Sequence, residues 1–502
     1  MKQTIFKITC IVALFGLALS SCTKDFKEIN TDPNNIPNAL PHQLLSPALV
    51  STLSLNMLRN RNFNNELMQI TVNMSDAEGQ VFRYDYRSTI SDNLYNGWYS
   101  ELTNFKDIYV IASDPVTLNA SYRGISLICQ SWVYSLLTDT YGDIPYFQSN
   151  LGKDSSIMEP AFDRQKDIYM DIFDKLDTAN VLLSKNESIL YEPVYGGNVA
   201  RWRKFGNSLY LRLLMRVVHK PEVAEFCKAK IKEIVELRAS SFPIIANNDE
   251  SAILKWTGTG AYISPLMNVR EQDFRSPAIG EFFIKHLVDW NDPRIDIPTY
   301  GTNGVNRWRI APSRGAYVGV PSGYAPGTNP EKRSYFYSTT GAATLMNEPL
   351  GGQILNFAEV KFLLAEAAVK GYISGNAETY FKDGVKNSIS LWLPTWTVPV
   401  DEYLAGADME WDDNADLEDK MEKIHLFKYY ALFMCDLQQW FEYRRTGHPV
   451  LPKGPGLRNN GVMPARMTYP VYVQSTNPTN YRVAVEAQGA DVISTNVWWQ
   501  KP

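Results

Sequence analysis

One cysteine near the N-terminus lies in a context that favours covalent modification. Cys22 follows the small residues Ser20 and Ser21 and an apolar run over 8–19, which basic residues precede. The run is shorter than the roughly 20 apolar residues that span a bilayer, so it is typical of a secretory signal. Small residues before such a cysteine match the bacterial lipobox, where the sulfur receives a diacylglyceryl group and the chain is cut before the cysteine.

This pattern divides the chain into three segments. We predict a lipoprotein signal peptide over 1–21, a lipidated tether over 22–41 and a single domain over 42–502. Palmitate-type acyl chains on Cys22 would anchor the mature protein, because two or more buried chains hold a protein stably at a membrane. The alternative is a plain signal peptide with a cysteine there by chance. No later segment approaches 18 consecutive apolar residues, so no transmembrane helix is expected.

The sequence offers little for catalysis. The histidines are scattered, and neither an HExxH motif, a G-x-S-x-G elbow nor a P-loop is present. Asp139 and Asp143 could be imagined as a glycosidase pair, which needs two carboxylates about 5–9.5 Å apart. Asp412 and Asp413 indicate a solvated loop or a weak calcium site. We therefore predict no catalytic residue, no cofactor and no metal site.

Charge and cysteine usage exclude further classes. Cleavage before Cys22 leaves 47 Lys and Arg against 54 Asp and Glu, and this acidic balance argues against nucleic acid as a partner. The remaining cysteines, Cys129, Cys227 and Cys435, lie far apart in apolar helical stretches. They are interpreted as buried thiols that form no disulfide.

Hydrophobic periodicity predicts a mostly α-helical protein. In 160–183, apolar residues recur at steps of three and four, which indicates one buried helix face. Similar patterns cover 43–72, 93–113, 121–138, 201–218, 223–237, 356–370, 377–391 and 421–443. Helices of this size suggest tetratricopeptide-like pairs, although no 34-residue period is visible. Two regions, near 291–355 and 446–502, are rich in Gly, Pro, Asn and aromatics and are predicted to be loops.

Several motifs follow one another along nearly the whole chain. They are FKEINTDPN (26–34), LTDTYGDIPYF (137–147), FDRQKDIYMDIFDKLDTA (162–179), GGNVARWRKFGNSLYLRLLMR (196–216), AEVKFLLAEAAVKG (358–371), WFEYRRTGHPVL (440–451) and the closing Trp498-Trp499. In this order they resemble the SusD/RagB family, in particular its shorter SusD-like branch.

The resemblance implies a fold, a location and a partner. The fold would be tetratricopeptide-like helix pairs that support an irregular, loop-rich binding half. The protein would be lipid-anchored to the outer membrane, facing the cell exterior, as a hinged lid on a SusC-like TonB-dependent transporter. Its ligand would be an oligosaccharide, or alternatively a peptide bound partly through Arg83 or Arg87.

Binding residues are expected in two regions, an early helix–turn segment and the irregular middle loops. Aromatic side chains there suit sugar rings, which present apolar C–H faces. The predicted ligand-binding residues are Tyr84, Tyr86, Asn96, Trp98, Trp256, Trp308, Tyr317 and Tyr324, with Tyr99, Arg309, Tyr335 and Tyr337 as further candidates. Each aromatic has an alternative role in the core. If Trp308 binds ligand, its replacement by alanine should weaken affinity and leave the melting temperature nearly unchanged.

Other polar residues in the motifs are interpreted as structural. Glu359 and Glu366 lie two turns apart on one helix face and favour a buried polar contact or a solvated face over a paired site. Trp202, Arg444 and Arg445 are expected to hold helices together. Two further functions remain open, a surface glycoside hydrolase and a structural lid with little ligand affinity of its own.

Overall fold

The computed structural model describes residues 39–296, 306–338 and 344–502, in which helices dominate. The α-helices of four or more residues are α1 Pro41–Arg59, α2 Thr89–Ile111, α3 Ala120–Tyr141, α4 Gly152–Ser155, α5 Gln165–Leu183, α6 Val199–Val217, α7 Ala224–Lys232, α8 Glu271–Arg275, α9 Glu281–Asp289, α10 Phe357–Val369, α11 Ala377–Trp392, α12 Val400–Gly406, α13 Leu417–Ala431, α14 Gln438–Thr446, α15 Val473–Thr476 and α16 Pro478–Gln488. A shorter helical turn covers Asn65–Leu67. The predicted mostly α fold is confirmed.

The strands are short and pair in twos. They are β1 Thr71–Val72, β2 Ile144–Pro145, β3 Phe162–Asp163, β4 Ala252–Leu254, β5 Ala278–Ile279, β6 Ile310–Ala311, β7 Tyr335–Phe336 and β8 Gly352–Leu355. The antiparallel pairs are β1–β5, β2–β3, β4–β8 and β6–β7. These pairs fasten the connecting segments to one another and form no larger sheet in the described chain.

Residues Pro41–Pro502 pack as one unit, and of the preceding segment only residues 39 and 40 are described. The predicted signal peptide, Cys22 and nearly all of the tether therefore lie outside the described residues. Among the described helices, none combines the length and apolar composition that crossing a membrane requires.

Consecutive helices pack side by side in pairs. Contacts run from α1 to α2, α2 to α3, α3 to α5 and α5 to α6, then from α6 to α10 and among α10, α11 and α13. The stripe read from the sequence in α5 is buried: Ile168, Ile172, Leu176, Ala179 and Leu183 are at most 1% exposed. Helix α3 is buried on nearly all sides because it lies between α2 and α5.

Asparagine and aspartate residues begin many of these helices. The side chains of Asn119, Asn198, Asn356, Asn376 and Asp416 each accept a hydrogen bond from a backbone N–H in the first turn. Such caps satisfy donors that have no partner within the helix. The starts of α3, α6, α10, α11 and α13 are thus encoded locally.

The pattern over 421–443 predicted one helix, and the structure has two, α13 and α14. Met434 and Asp436 adopt left-handed backbone angles, with φ of 67° and 33°, which end the helical hydrogen bonding. The carbonyl of Asp436 accepts instead from the Asn60 side chain at 2.7 Å. The break depends on a distant segment, so local periodicity did not reveal it.

The C-terminal region was also predicted to be irregular throughout, but it contains the eleven-residue helix α16. Gln488 at the end of α16 bonds to the end of α3. Its Nε2 donates to the Tyr141 carbonyl at 3.0 Å, and its Oε1 accepts from the Asp143 N–H at 2.6 Å. Helix α16 therefore fastens the C-terminal segment to the helical half.

Ion pairs in the core connect the helices. Arg212 on α6 donates to both carboxylate oxygens of Glu359 on α10, at 2.7 and 2.6 Å. Arg445 on α14 donates to both oxygens of Glu366 at 2.7 Å and to Glu442 at 2.7 Å. Glu359 and Glu366 are both 0% exposed, so of the alternatives left open by the sequence the structure shows buried polar contacts and not a solvated face.

The Arg445 cluster extends to two more helices. Glu442 also accepts from Lys428 on α13 at 2.8 Å and pairs with Arg216 on α6 at 3.1 Å. Burial alone would raise the pKa of Glu366, but the Arg445 guanidinium outweighs it and holds this pKa well below its usual range. The same guanidinium holds down the pKa of Glu442.

Glu366, Glu442 and the buried His425 also place metal-ligand atoms within 4.8 Å of one another. Arg445 donates to both carboxylates, so a cationic side chain already fills the position between them. Burial lowers the pKa of His425 to about 4, so this imidazole is neutral at physiological pH. The cluster is therefore interpreted as structural.

We predict that Arg445→Met lowers the free energy of unfolding by about 3–5 kcal/mol, because two buried carboxylates lose their main partner. Urea unfolding measures the change. Lys285→Met is the matched control: Lys285 pairs with Asp289 on the surface, and loss of an exposed pair costs less than about 1 kcal/mol. Equal effects of the two replacements would contradict this interpretation of the core.

Candidate functional site

The tryptophans predicted to bind ligand lie in the core. Trp98 and Trp308 are 0% exposed and Trp256 is 1% exposed. The Trp98 indole N–H donates to Asn56 Oδ1 at 2.9 Å and so joins α2 to α1. Trp256 packs beside the backbone of Gly352, where a Cβ would lie 3.1 Å from its Nε1. None of these three rings presents a surface to a ligand in this structure.

Trp308 is surrounded by other rings and a cation. Its ring lies 5.7 Å from that of Phe283 and 4.7 Å from that of Phe433, and the Arg294 guanidinium lies 4.5 Å from its centroid. Arg294 is itself paired with Asp292 at 2.6 Å. This packing makes a loss of stability the expected result of replacing Trp308, in contrast to the expectation from the sequence.

Three predicted tyrosines hold loops together. Tyr84 and Tyr86 are buried, and the Tyr86 hydroxyl donates to the Arg466 carbonyl at 2.6 Å. The nearly buried Tyr324 ring faces the Arg83 guanidinium at 4.5 Å, and Arg83 pairs with Asp76 at 2.6 Å. Arg83, which the peptide alternative assigned to a ligand carboxylate, is thus already paired within the protein.

Tyr317 is partly exposed and lines a groove of about 460 Å³ beside α9. Its hydroxyl donates to the Ile295 carbonyl at 3.1 Å and accepts from Asn306 Nδ2 at 2.8 Å. The further candidates Tyr335 and Tyr337 are also partly exposed, whereas Arg309 is nearly buried. Residues 297–305, which adjoin this groove in sequence, lie outside the described chain.

Two predicted residues meet in another groove. The exposed Asn96 and the partly exposed Tyr99 line an open groove of about 520 Å³ between α2, the β2 segment and the C-terminal region. Tyr472 forms its outer wall and is 41% exposed. The structure therefore brings together Asn96, Tyr99 and Tyr472, and we name this surface the tyrosine groove.

The tyrosine groove combines ring faces with amides and hydroxyls. Its lining within the described chain is uncharged and consists of Tyr95, Asn96, Tyr99, Ser100, Thr103, Pro145, Ser149, Asn150, Pro160 and Tyr472. Burial raises the pKa of Tyr99 well above its usual value, and the neighbouring Tyr95 reinforces the shift, so these phenols stay neutral. The groove therefore suits a neutral ligand with both apolar faces and hydroxyl groups.

Hydrogen bonds fix the groove in shape. The Tyr472 hydroxyl donates to Asn96 Oδ1, and the Tyr99 hydroxyl donates to the Pro145 carbonyl at 2.6 Å. Asn150 Nδ2 donates to the Tyr99 carbonyl at 2.8 Å and leaves its own Oδ1 without a partner among the described residues. A preformed groove binds at lower entropic cost than one that must be ordered by its ligand.

Sequence reasoning missed Tyr472 and Asn150. Tyr472 lies in the Pro-, Asn- and Tyr-rich C-terminal region, whose composition indicated a functional loop without identifying a residue. Asn150 follows the 137–147 motif and adopts a left-handed backbone angle, φ 62°, which asparagine tolerates better than most residues. Neither signal placed these residues beside α2.

The carboxylates considered for catalysis are engaged in structural contacts. Asp139 accepts from the Tyr169 hydroxyl at 2.7 Å and the Trp499 indole at 2.8 Å, and pairs with Arg216 at 3.0 Å. Asp143 is buried and pairs with Arg164 at 2.7 Å.

The acidic loop around Asp412 and Asp413 is exposed and held by lysines. Lys420 donates to the Asp413 carbonyl at 2.7 Å, and Lys423 donates to the Glu410 carbonyl. Two ammonium groups therefore occupy carbonyls that a cation could have used, and the solvated-loop interpretation fits.

Comparison with known proteins gives one family and many similar folds. Residues 33–470 match the SusD-like family model, described as starch-binding and associating with the outer membrane. No curated protein is detectably similar in sequence.

Solved structures share the fold over most of their length. A SusD homolog from Bacteroides uniformis is 24% identical, with 91% of this chain and 99% of that chain covered and a TM-score of 0.75. A SusD homolog from Bacteroides fragilis is 23% identical, with 92% and 99% covered and a TM-score of 0.73. A chitin-binding SusD homolog from Flavobacterium johnsoniae is 20% identical, with 91% and 98% covered and a TM-score of 0.75.

We predict that Trp308→Ala lowers the free energy of unfolding by about 3–5 kcal/mol, because it leaves a large cavity among packed rings. Denaturant unfolding measures the change, and Tyr191→Ala is the control. Tyr191 is 66% exposed, so its loss should stay within about 0.5 kcal/mol. A Trp308→Ala protein as stable as the control would return Trp308 to the candidate ligand residues.

Proposed function

The chain belongs to the SusD-like family, and on that premise we propose that it is a cell-surface nutrient-binding lipoprotein that captures oligosaccharides for import. The tyrosine groove is the proposed ligand site. The observation that carries this assignment is an uncharged lining that combines three tyrosines with amide and hydroxyl side chains. Aromatic faces pack against the apolar C–H faces of sugars, while the polar groups hydrogen-bond to sugar hydroxyls.

The groove favours a glycan over a peptide as ligand. A peptide presents charged termini and a row of backbone donors and acceptors, which fixed charges or an exposed strand edge usually recognise. The described lining of the tyrosine groove carries no charge, and Arg83 is paired with Asp76. The family model is described as starch-binding, and one relative with the same fold is described as chitin-binding, so malto- and chito-oligosaccharides are the first ligands to test.

Delivery would depend on a partner. We propose that the protein is anchored through Cys22 to the outer membrane, faces the cell exterior and closes as a lid on a SusC-like TonB-dependent transporter. Closure would hold the ligand at high effective concentration above the transporter. The transporter would supply the energy for import, and the chain itself would bind without chemical conversion.

The remaining alternatives make different predictions. A surface glycoside hydrolase would convert a bound oligosaccharide, whereas a binding protein returns it unchanged. A structural lid would co-purify with a large membrane barrel and show no measurable ligand affinity. Titration with an oligosaccharide measures the affinity, and product analysis of the same sample shows whether the oligosaccharide has been converted.

We predict that Tyr472→Ala weakens oligosaccharide binding at least about tenfold, equivalent to about 1.4 kcal/mol, because the outer ring of the groove is lost. Calorimetric titration of the mature protein with malto- and chito-oligosaccharides, and with mixed peptides, measures the affinity. Tyr191→Ala is the matched control, since Tyr191 is an exposed tyrosine that does not line the groove. Equal binding by both variants would remove the tyrosine groove from the proposal, and binding of peptides alone would favour the peptide alternative.

A further inference from the structure

A second, smaller pocket lies at the end of α1, separate from the tyrosine groove. It has a volume of about 30 Å³, and its walls include the rings of Phe274, Phe336 and Phe433. Since one water-sized sphere needs about 10–15 Å³, the pocket holds roughly two such spheres. Asn60, Arg61, Asn65 and Thr71 contribute its polar groups.

Asn60 Nδ2 donates to the Asp436 carbonyl at 2.7 Å, but three other polar groups of this pocket lack partners. Asn65 and Thr71 are each 6% exposed, yet Asn65 Oδ1 and Thr71 Oγ1 make no hydrogen bond within the described chain. The Nε of Arg61 is likewise buried and unpaired. Buried polar groups are almost always hydrogen-bonded, so three unpaired atoms around one cavity indicate that something polar completes it.

Arg61 differs from the buried arginines of the protein. Each of those has a hydrogen-bond partner; they are Arg83, Arg212, Arg216, Arg294, Arg309 and Arg466. For the Arg61 side chain, no hydrogen bond or ion pair to any described residue is present. Burial lowers the pKa of Arg61, which means that its charge is costly without an anion nearby.

The two carboxylates that act on Arg61 electrostatically, Glu66 and Asp273, are occupied elsewhere. Glu66 accepts a hydrogen bond from the Phe82 N–H at 3.3 Å, and burial raises the pKa of Glu66 to about 7, which reduces its negative charge. Asp273 pairs with Arg270 at 2.7 Å on the surface. Neither carboxylate comes within ion-pair distance of Arg61, so its guanidinium is available to an external anion.

The backbone explains how these side chains converge. A π-helix, Asn60–Asn64, follows α1 directly, and the Asn65 N–H donates to the Asn60 carbonyl. Such insertions are frequent at functional sites because they turn side chains away from the regular helical face. Arg61 and Asn65, four residues apart, both reach the pocket. Thr71 enters from β1, which pairs with β5.

We propose that this pocket binds a carboxylate that is attached to the rest of a ligand outside the pocket. The planar guanidinium of Arg61 matches a carboxylate in two parallel hydrogen bonds, and the Thr71 hydroxyl can donate a third. The space available fits the carboxylate alone. Of the lining residues, only Arg61 and Pro277 are partly exposed, so the mouth lies beside them and the remainder of the ligand extends outward there.

Two sources offer this chemistry, the C-terminus of a peptide and the acidic group of a uronic acid. Ligand-observed NMR titrations of the mature protein with N-acetyl-leucine and glucuronate, each against its amide, distinguish them. We expect at least one acid to bind and its amide to bind at least tenfold more weakly. The acid that binds more tightly identifies the source.

Variants locate the binding. Arg61→Met should weaken binding of the acid at least tenfold, and Thr71→Val, which replaces the hydroxyl with a methyl group of similar size, should weaken it severalfold. Arg201→Met is the matched control, since Arg201 is also partly exposed and its side chain pairs with no described residue. Tyr472→Ala should leave acid binding unchanged, because the two sites are separate.

Three outcomes would overturn the proposal: no binding of either acid to the wild-type protein, equal binding of acid and amide, or unchanged acid affinity in the Arg61→Met and Thr71→Val proteins. The melting temperature separates binding from structure. Arg61 has no partner to lose, so Arg61→Met should not lower it, and a marked decrease would assign Arg61 a structural role. These results do not test oligosaccharide binding in the tyrosine groove, which the Tyr472→Ala titrations test separately.

Discussion

Arg445 lies in the core against Glu366 and Glu442, and the helical half of the molecule is organised around the pairing of these charges. A buried charge is costly unless a partner and hydrogen bonds compensate for it. Here the compensation comes from helices distant in sequence: Glu366 from α10, Lys428 from α13 and Arg216 from α6. In the observed packing each of these groups has a partner, so an arrangement that separated the helices would leave buried charges unpaired.

That arrangement positions the surfaces on which function depends. Asp139, at the end of α3, is bound by Arg216 and by Trp499, so the C-terminal segment is fastened to the helical half. Helix α16 adds a second attachment through Gln488. Tyr472, which precedes α16, is thereby held against α2, where its hydroxyl meets Asn96. The tyrosine groove is thus a consequence of how the C-terminus returns to the first helices.

The two candidate binding surfaces differ in physical character. The tyrosine groove is wide, open and uncharged, with its hydroxyls and amides already ordered by hydrogen bonds. The pocket at Arg61 is small, ring-lined and cationic, and its Arg61 Nε, Asn65 Oδ1 and Thr71 Oγ1 atoms have no hydrogen-bond partner in the described chain. The first suits broad contact with a neutral chain such as a glycan, and the second suits one anionic group. An acidic oligosaccharide would offer both a neutral chain and an anionic group, whereas two separate ligands would each offer one of them.

The sequence by itself determined the helical class, most helix positions and the family, because amphipathic periodicity and ordered motifs are local. It also named Asn96 and Tyr99, which line the groove, because they lie in the early helix–turn segment where the resemblance implies binding residues. Only the tertiary structure decided which aromatics are buried. The sequence predicted Trp98 and Trp308 as ligand-binding residues, but segments distant in sequence pack against both rings and cover them. The break between α13 and α14, the approach of Tyr472 to α2 and the unpaired state of Arg61 likewise arise from contacts between remote segments. Whether a side chain is buried or paired depends on which segments pack against it, and the order of residues along the chain does not specify those contacts directly.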